Sequence, residues 1–151
     1  CTQPDYAKVL RRYQKATHEH EDVVLYHLGE CYELGQGVEP DLKKALSYYK
    51  RSAKLGYGGA LCALGRFYEE GLQMPSNLSK ALEYYQASAD KKDAKGTYHL
   101  ALCYADGKAV EADRKKALRL CRSAMARQEP EDREDSVFQT KLQALLERLE
   151  K

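Results

Sequence analysis

Apolar residues recur along the chain at steps of three and four, the spacing that places side chains on one face of a helix. Leu42, Ala45, Leu46, Tyr49 and Ala53 make one such face, and Leu28, Gly29 and Tyr32 mark another before it. The pattern then repeats itself. Shifting the chain by 36 residues aligns, without a gap, Leu28 with Leu64 and Leu100, and Tyr32 with Tyr68 and Tyr104. Gly35, Gly71 and Gly107 coincide, as do Ala45, Ala81 and Ala117, while Gly29 and Gly65 fall on Ala101. A fixed period in this range is the signature of stacked supersecondary units.

Each unit predicts two helices. The first spans about residues 24–34 in the first copy and is closed by Gly35, suited to the left-handed position after a helix. The second opens on Asp41, after Pro40; Asn77 and Asp113 align with it. A short side-chain acceptor there can bond unpaired first-turn amides, worth about 1 kcal/mol. Gly29 and Gly65 sit inside a helix, where glycine costs about 1 kcal/mol relative to alanine. The expected compensation is close helix approach, and Ala101 in the third copy points to a need for smallness. The expectation is an all-α fold, an α-solenoid.

The ends fit the same scheme. Residues 3–13 match residues 39–49 in register, which predicts a leading half-unit. Val137, Phe138, Leu142, Leu145, Leu146 and Leu149 form a stripe on a final helix after an acidic hinge at residues 127–136. Such a helix is expected to cap the last unit, with dimerisation the alternative use of part of its stripe. The predicted layout is a tether at 1–4, a leading half-repeat helix at 5–21, repeats at 22–57, 58–93 and 94–129, and a capping helix at 130–151.

Composition narrows the function. The 151 residues are 43% hydrophobic and 32% charged, ordinary for a globular chain. No apolar run approaches the length of a membrane span. Net charge is +2 with acids and bases interleaved, which argues against nucleic-acid binding, since that calls for one strongly basic face. Twelve tyrosines against two phenylalanines and no tryptophan suggest one structural position filled repeatedly.

The motif Leu-Gly-x-x-Tyr-x-x-Gly, followed by Asp-x-x-Lys-Ala-x-x-Tyr-Tyr-x-x-Ser-Ala, resembles the Sel1-like repeat, a relative of the tetratricopeptide repeat. In the first copy it is Leu28, Gly29, Tyr32, Gly35, Asp41, Lys44, Ala45, Tyr48, Tyr49, Ser52 and Ala53. Three copies and the leading half-unit cover residues 5 to about 127. Two departures stand out: Gly37 is replaced by Gln73 and Ala109, and Cys121 stands where the other copies have Tyr49 and Tyr85. The resemblance implies a right-handed α-solenoid of antiparallel helix pairs that binds other proteins, without chemistry or cofactor of its own. Some bacterial members carry one disulfide per repeat; Ala53, Ala89 and Met125 stand where one of those cysteines would fall, so that framework is missing here.

Candidate chemistry is thin. Cys31 and Cys103 are equivalent to Phe67, and Cys121 to two tyrosines, so these thiols are expected in the core. His27 and His99 precede Cys31 and Cys103 by four residues, but a cysteine–histidine dyad needs its sulfur exposed in a pocket. His18 to Asp22, His-Glu-His-Glu-Asp, lacks the helical His-Glu-x-x-His spacing of a metal site and reads as a solvated loop. Gly35 to Val38 follows a helix rather than a strand, against a phosphate loop. No enzyme and no metal are expected.

Taking Leu28, Gly29 and Tyr32 as core, the residues pointing away are Tyr26, Glu30 and Glu33. Their counterparts are Cys62, Arg66 and Glu69, then Tyr98, Leu102 and Ala105. These positions vary between copies while the core does not. They are expected to line a concave partner-binding face, with Tyr, Arg and Leu as anchors. Cys1 reads in two ways: as the acylated first residue of a bacterial lipoprotein, or as the place where a piece of a longer chain begins. Only Thr2, Gln3 and Pro4 separate it from Asp5, a tether of at most about 10 Å. Acylation would place the chain at a membrane in the periplasm; otherwise a cytoplasmic adaptor is expected. Bacterial lipoproteins with such repeats include immunity proteins against type VI secretion phospholipases and envelope scaffolds. The expected partner is therefore another protein, a toxic lipase among the candidates, bound by a monomer or weak dimer.

Overall fold

The structure, a computed structural model, describes residues 6–15 and 20–151. Every regular element among them is helical: α1 (Tyr6–Lys15), α2 (Glu21–Leu34), α3 (Leu42–Lys54), α4 (Gly58–Glu70), α5 (Leu78–Asp90), α6 (Ala94–Asp106), α7 (Arg114–Ala126), α8 (Pro130–Glu134) and α9 (Ser136–Glu150). The pairs α2/α3, α4/α5 and α6/α7 are the three units, each an antiparallel hairpin, and α1 is the leading half-unit. Between units, α3 packs on α4 and α5 on α6; α4 also packs on α6 and α6 on α9, whereas α2 with α4, and α3, α5 and α7 with one another, make at most marginal contact. From α4 onward the first helices therefore lie on the inside of the curve and the second helices on the outside, and α2 joins the inner side through the bonds of Glu33 to Arg66. The fold is an α-solenoid.

The same local bonds set each hairpin. Gly35, Gly71 and Gly107 take φ of 70°, 70° and 67°, which lets two successive amides reach one carbonyl: Cys31, Phe67 or Cys103. The loop then returns. The amides of Asp41, Asn77 and Asp113 donate to the carbonyls of Tyr32, Tyr68 and Tyr104, each at 2.8 Å. Their side chains in turn accept from the amides of Lys44, Lys80 and Lys116 at 3.1, 3.0 and 3.0 Å. Both ends of the loop are thus tied in all three units. The departures at Gln73 and Ala109 keep the left-handed backbone of Gly37, with φ of 62° and 61°, at a cost of about 1 kcal/mol each.

Close approach inside each hairpin rests on a glycine under a tyrosine. A Cβ on Gly29 would stand 2.6 Å from the Tyr49 ring, and Gly65 meets Tyr85 at least as closely. Both rings are fully buried, and their hydroxyls donate to carboxylates: Tyr49 to Glu33 at 2.7 Å, Tyr85 to Glu69 at 2.6 Å. The third unit changes all three partners at once, to Ala101, Cys121 and Ala105. The smaller thiol leaves room for the Ala101 methyl, and no carboxylate remains without its hydroxyl. The volume given up by the tyrosine is taken by α9, whose Phe138, Leu142, Leu145 and Leu149 share one buried cluster with Ala101 and Cys121.

Two expectations are corrected at this end. The stretch after α7 contains a helical turn, α8, whose Asp132 carboxylate accepts from the Glu129 amide at 3.1 Å. Val137 lies off the capping stripe and is exposed, because its position on α9 turns away from α6 and α7. The core cysteines fall where register puts them: Cys31, Cys103 and Cys121 are buried with Phe67.

The glycine–tyrosine contact has a direct consequence. Gly65→Ala is expected to cost about 1–3 kcal/mol by overpacking. In a Tyr85→Cys background, which reproduces the third unit's pairing, the same substitution should cost under about 0.5 kcal/mol. Urea unfolding of the four proteins measures this; an equal cost in both backgrounds would show that the ring is not what requires glycine.

Candidate protein-binding face

The inner face is built from α2, α4 and α6, and its predicted residues divide into three rows. The first row is not free. Cys62 and Tyr98 are only 6% and 7% exposed, against the expectation that they point outward. The curvature responsible brings the next unit's helix over each of them. Tyr98 meets Phe138 of α9 edge-on at 5.7 Å, and Cys62 packs among Ala81, Tyr85, Leu100 and Cys103. Tyr26 is half-buried, its ring 5.7 Å from Tyr49 and 5.1 Å from Tyr57.

The second row holds the most open positions. The side chains of Glu30 and Arg66 are 34% and 31% exposed, while Leu102 leans on the C-terminal core. The third row is structural. Glu33 accepts from Tyr49 and takes both terminal nitrogens of Arg66, at 3.1 and 3.0 Å, a planar fork that joins α2 to α4. Glu69 accepts from Tyr85 and from Lys108 Nζ at 3.0 Å. Ala105 has neither role.

The pairing continues along the solenoid. Lys95 bonds Asp135 at 2.9 Å and Arg148 bonds Asp106 at 2.6 Å, tying α6 to α9. Thus ion pairs bridge each step on this side, from α2 to the end of the chain. Lys95 and Lys108 have no counterpart of the same type in the other copies, so the repeat offered no signal for them.

Electrostatics follow from these contacts. Burial pushes the Glu33 and Glu69 carboxyls up, but the bonds from Arg66 and Tyr49, and from Tyr85 and Lys108, outweigh it and hold both below the ordinary range. Burial and the nearby carboxylates of Asp93, Glu131, Glu30 and Asp22 push the Tyr57 hydroxyl up to about 12. The thiols are protonated at neutral pH: burial pushes Cys62 up strongly and Cys103 and Cys121 to about 11. A thiol in that state is a poor nucleophile. His99 stacks on Tyr85 at 4.9 Å, and burial lowers it to about 4, so it is neutral packing rather than a base for Cys103. His27 stacks in the equivalent way on Tyr13 at 5.2 Å and bonds Glu30 at 2.9 Å. Among the described residues no group of three or more His, Cys, Asp or Glu is placed to hold a metal ion. His18, Glu19 and Cys1 lie outside them.

The lowered His99 has a pH signature. The unfolded chain binds its proton near 6.5 and the folded chain only near 4, so this contribution is complete above about 6.5 and is lost as pH falls toward 4. The loss is on the order of 2–3 kcal/mol. Asp93 acts in the opposite direction, because burial raises it. The readout is therefore the difference between wild type and His99→Gln in thermal unfolding between pH 7 and 4 (about the span in which these groups titrate). The variant should show the shallower fall; parallel curves would contradict the assignment.

Comparison with known proteins agrees with this architecture. The Sel1 repeat family model matches residues 23–57, 59–93 and 94–127. No curated protein matches the chain. Among solved structures, a Sel1 repeat protein from Oxalobacter formigenes is 27% identical, with a TM-score of 0.72 over 82% of this chain and 50% of that one. A protective antigen of uropathogenic Escherichia coli with an SLR fold is 28% identical, with a TM-score of 0.74 over 96% of this chain and 30% of that one. The chain thus spans half or less of the length of these two proteins. Helicobacter pylori cysteine rich protein B, at 24% identity and a TM-score of 0.63 over 83% of this chain and 92% of that one, shares the fold. Sel1 repeats are protein–protein interaction scaffolds without catalytic machinery. With three matched repeats covering most of its length, the chain belongs to the Sel1 repeat family.

Proposed function

We propose that this chain captures one partner protein on its inner face, around Glu30 and the exposed edge of Arg66. The observation that carries this reading is the contrast between rows. Core positions such as Leu28, Leu64 and Leu100 recur from unit to unit, while the open position changes sign from Glu30 to Arg66. Because the neighbouring carboxylates are already paired, the face is rigid before a partner arrives, which limits the ordering cost of binding.

The finer reading is an immunity-type inhibitor that neutralises a phospholipase effector of type VI secretion from the periplasmic side of a membrane. Its support is the family resemblance, not a motif on the face.

Glu30→Arg tests both levels. It reverses the charge at the open row, giving up only the bond to His27, without touching the Glu33–Arg66 fork or the Tyr98–Phe138 contact. Capture from native membranes with wild type and variant, read by mass spectrometry, should give one dominant partner that is lost with the variant. Circular dichroism should show unchanged helix content. A phospholipase as that partner supports the finer reading; a partner retained equally by the variant moves binding away from this face.

A further inference from the structure

The net charge of +2 conceals a sorting of charge by element. α3 carries Lys43, Lys44, Lys50, Arg51 and Lys54, all exposed, and no acid. α1, the preceding helix of the same type, carries Lys8, Arg11, Arg12 and Lys15, all exposed and again without an acid. α7 is likewise basic, and only α5, with Glu83 and Asp90 against Lys80, departs from the pattern. The acids gather elsewhere. α2 has Glu21, Asp22, Glu30 and Glu33 with no Lys or Arg, and α8 has three acids against Arg133. Signs that interleave along the sequence are separated in space, because basic helices take the outside of the curve and the acidic α2 the inside.

We propose that the outer face of α1 and α3 docks on an anionic lipid bilayer. Two features favour a bilayer over nucleic acid. Leu55, 53% exposed, stands beside Lys54 at the end of α3, an apolar group that a lipid interface accommodates and a phosphate backbone does not. The described tyrosines of these two helices are already occupied: Tyr48 stacks on Tyr32 at 5.7 Å, with the Arg51 guanidinium 5.6 Å from its centre, and Tyr13 stacks on His27, so neither is free to stack on bases. The cations also spread along two helix ridges, each about 15–20 Å long, rather than lining a groove that would track a strand. Each basic side chain near an anionic surface raises the partition constant roughly fivefold, and added salt removes the gain. The surface acts independently of partner capture on the inner face and of any acyl group on Cys1.

The test uses the full chain carrying Cys1→Ser, sedimented with vesicles of phosphatidylcholine alone or with about 30% phosphatidylglycerol, at roughly 50 and 500 mM salt. The proposal expects binding to the anionic vesicles only, lost at high salt. Lys43→Gln, Lys50→Gln and Lys54→Gln together should weaken it on the order of 100-fold. No binding to anionic vesicles at low salt, or equal binding to neutral ones, would overturn the proposal whether or not the triple variant folds. A folded triple variant that binds like wild type would also overturn it. Displacement from the vesicles by a duplex oligonucleotide at equal phosphate concentration would reassign the face to nucleic acid.

Discussion

The hairpins of this solenoid depend on a tyrosine ring lying directly across a glycine. Without a Cβ at Gly29 or Gly65, the two helices of a unit approach until the ring is sealed between them, and its hydroxyl emerges where only a carboxylate from the first helix can reach it. Burying that hydroxyl without a partner would cost a few kcal/mol, so the glutamate is as much a part of the packing as the ring. The carboxylates then pass the constraint on. Glu33 grips Arg66 of the next unit, and Glu69 grips Lys108, so the contact that sets a hairpin also sets the step to its neighbour.

The third unit shows what happens when the clasp is given up. Ala101, Cys121 and Ala105 replace its three members together, and the fold substitutes hydrophobic cover from α9 for the buried polar pair. The final helix is thus more than a polar lid. It fills the space of a missing tyrosine, and it is held by ion pairs at both ends, Lys95–Asp135 and Arg148–Asp106.

Much of this was legible from residue spacing. The 36-residue register located the loop inside each unit, with its glycine and its Asp or Asn cap, and the Gly29, Gly65 and Ala101 series announced a close approach. What spacing could not reveal was the step between units. Helical periodicity separates the side of a helix that meets its own partner from the rest, but curvature decides how much of the rest the next unit covers. Cys62 and Tyr98 were misjudged for that reason, whereas the Glu30 side chain keeps 34% exposure. Charge was misread in a related way. Over α1, α2 and α3 bases and acids alternate by helix, which looks like mixing in one dimension and becomes segregation once alternate helices face opposite sides. Lys95 and Lys108, each present in one unit only, left no periodic trace at all.

The result is a rigid body with two dissimilar faces, a pre-paired inner side and a basic outer one, both resting on the clasp. The most direct test of the clasp is a double-mutant cycle of Tyr85→Phe and Glu69→Gln, followed by urea unfolding. If the buried hydroxyl and the carboxylate form one unit, the two losses will couple by about 1 kcal/mol or more. Additivity within about 0.3 kcal/mol would contradict the account, leaving the tyrosine ring as packing alone.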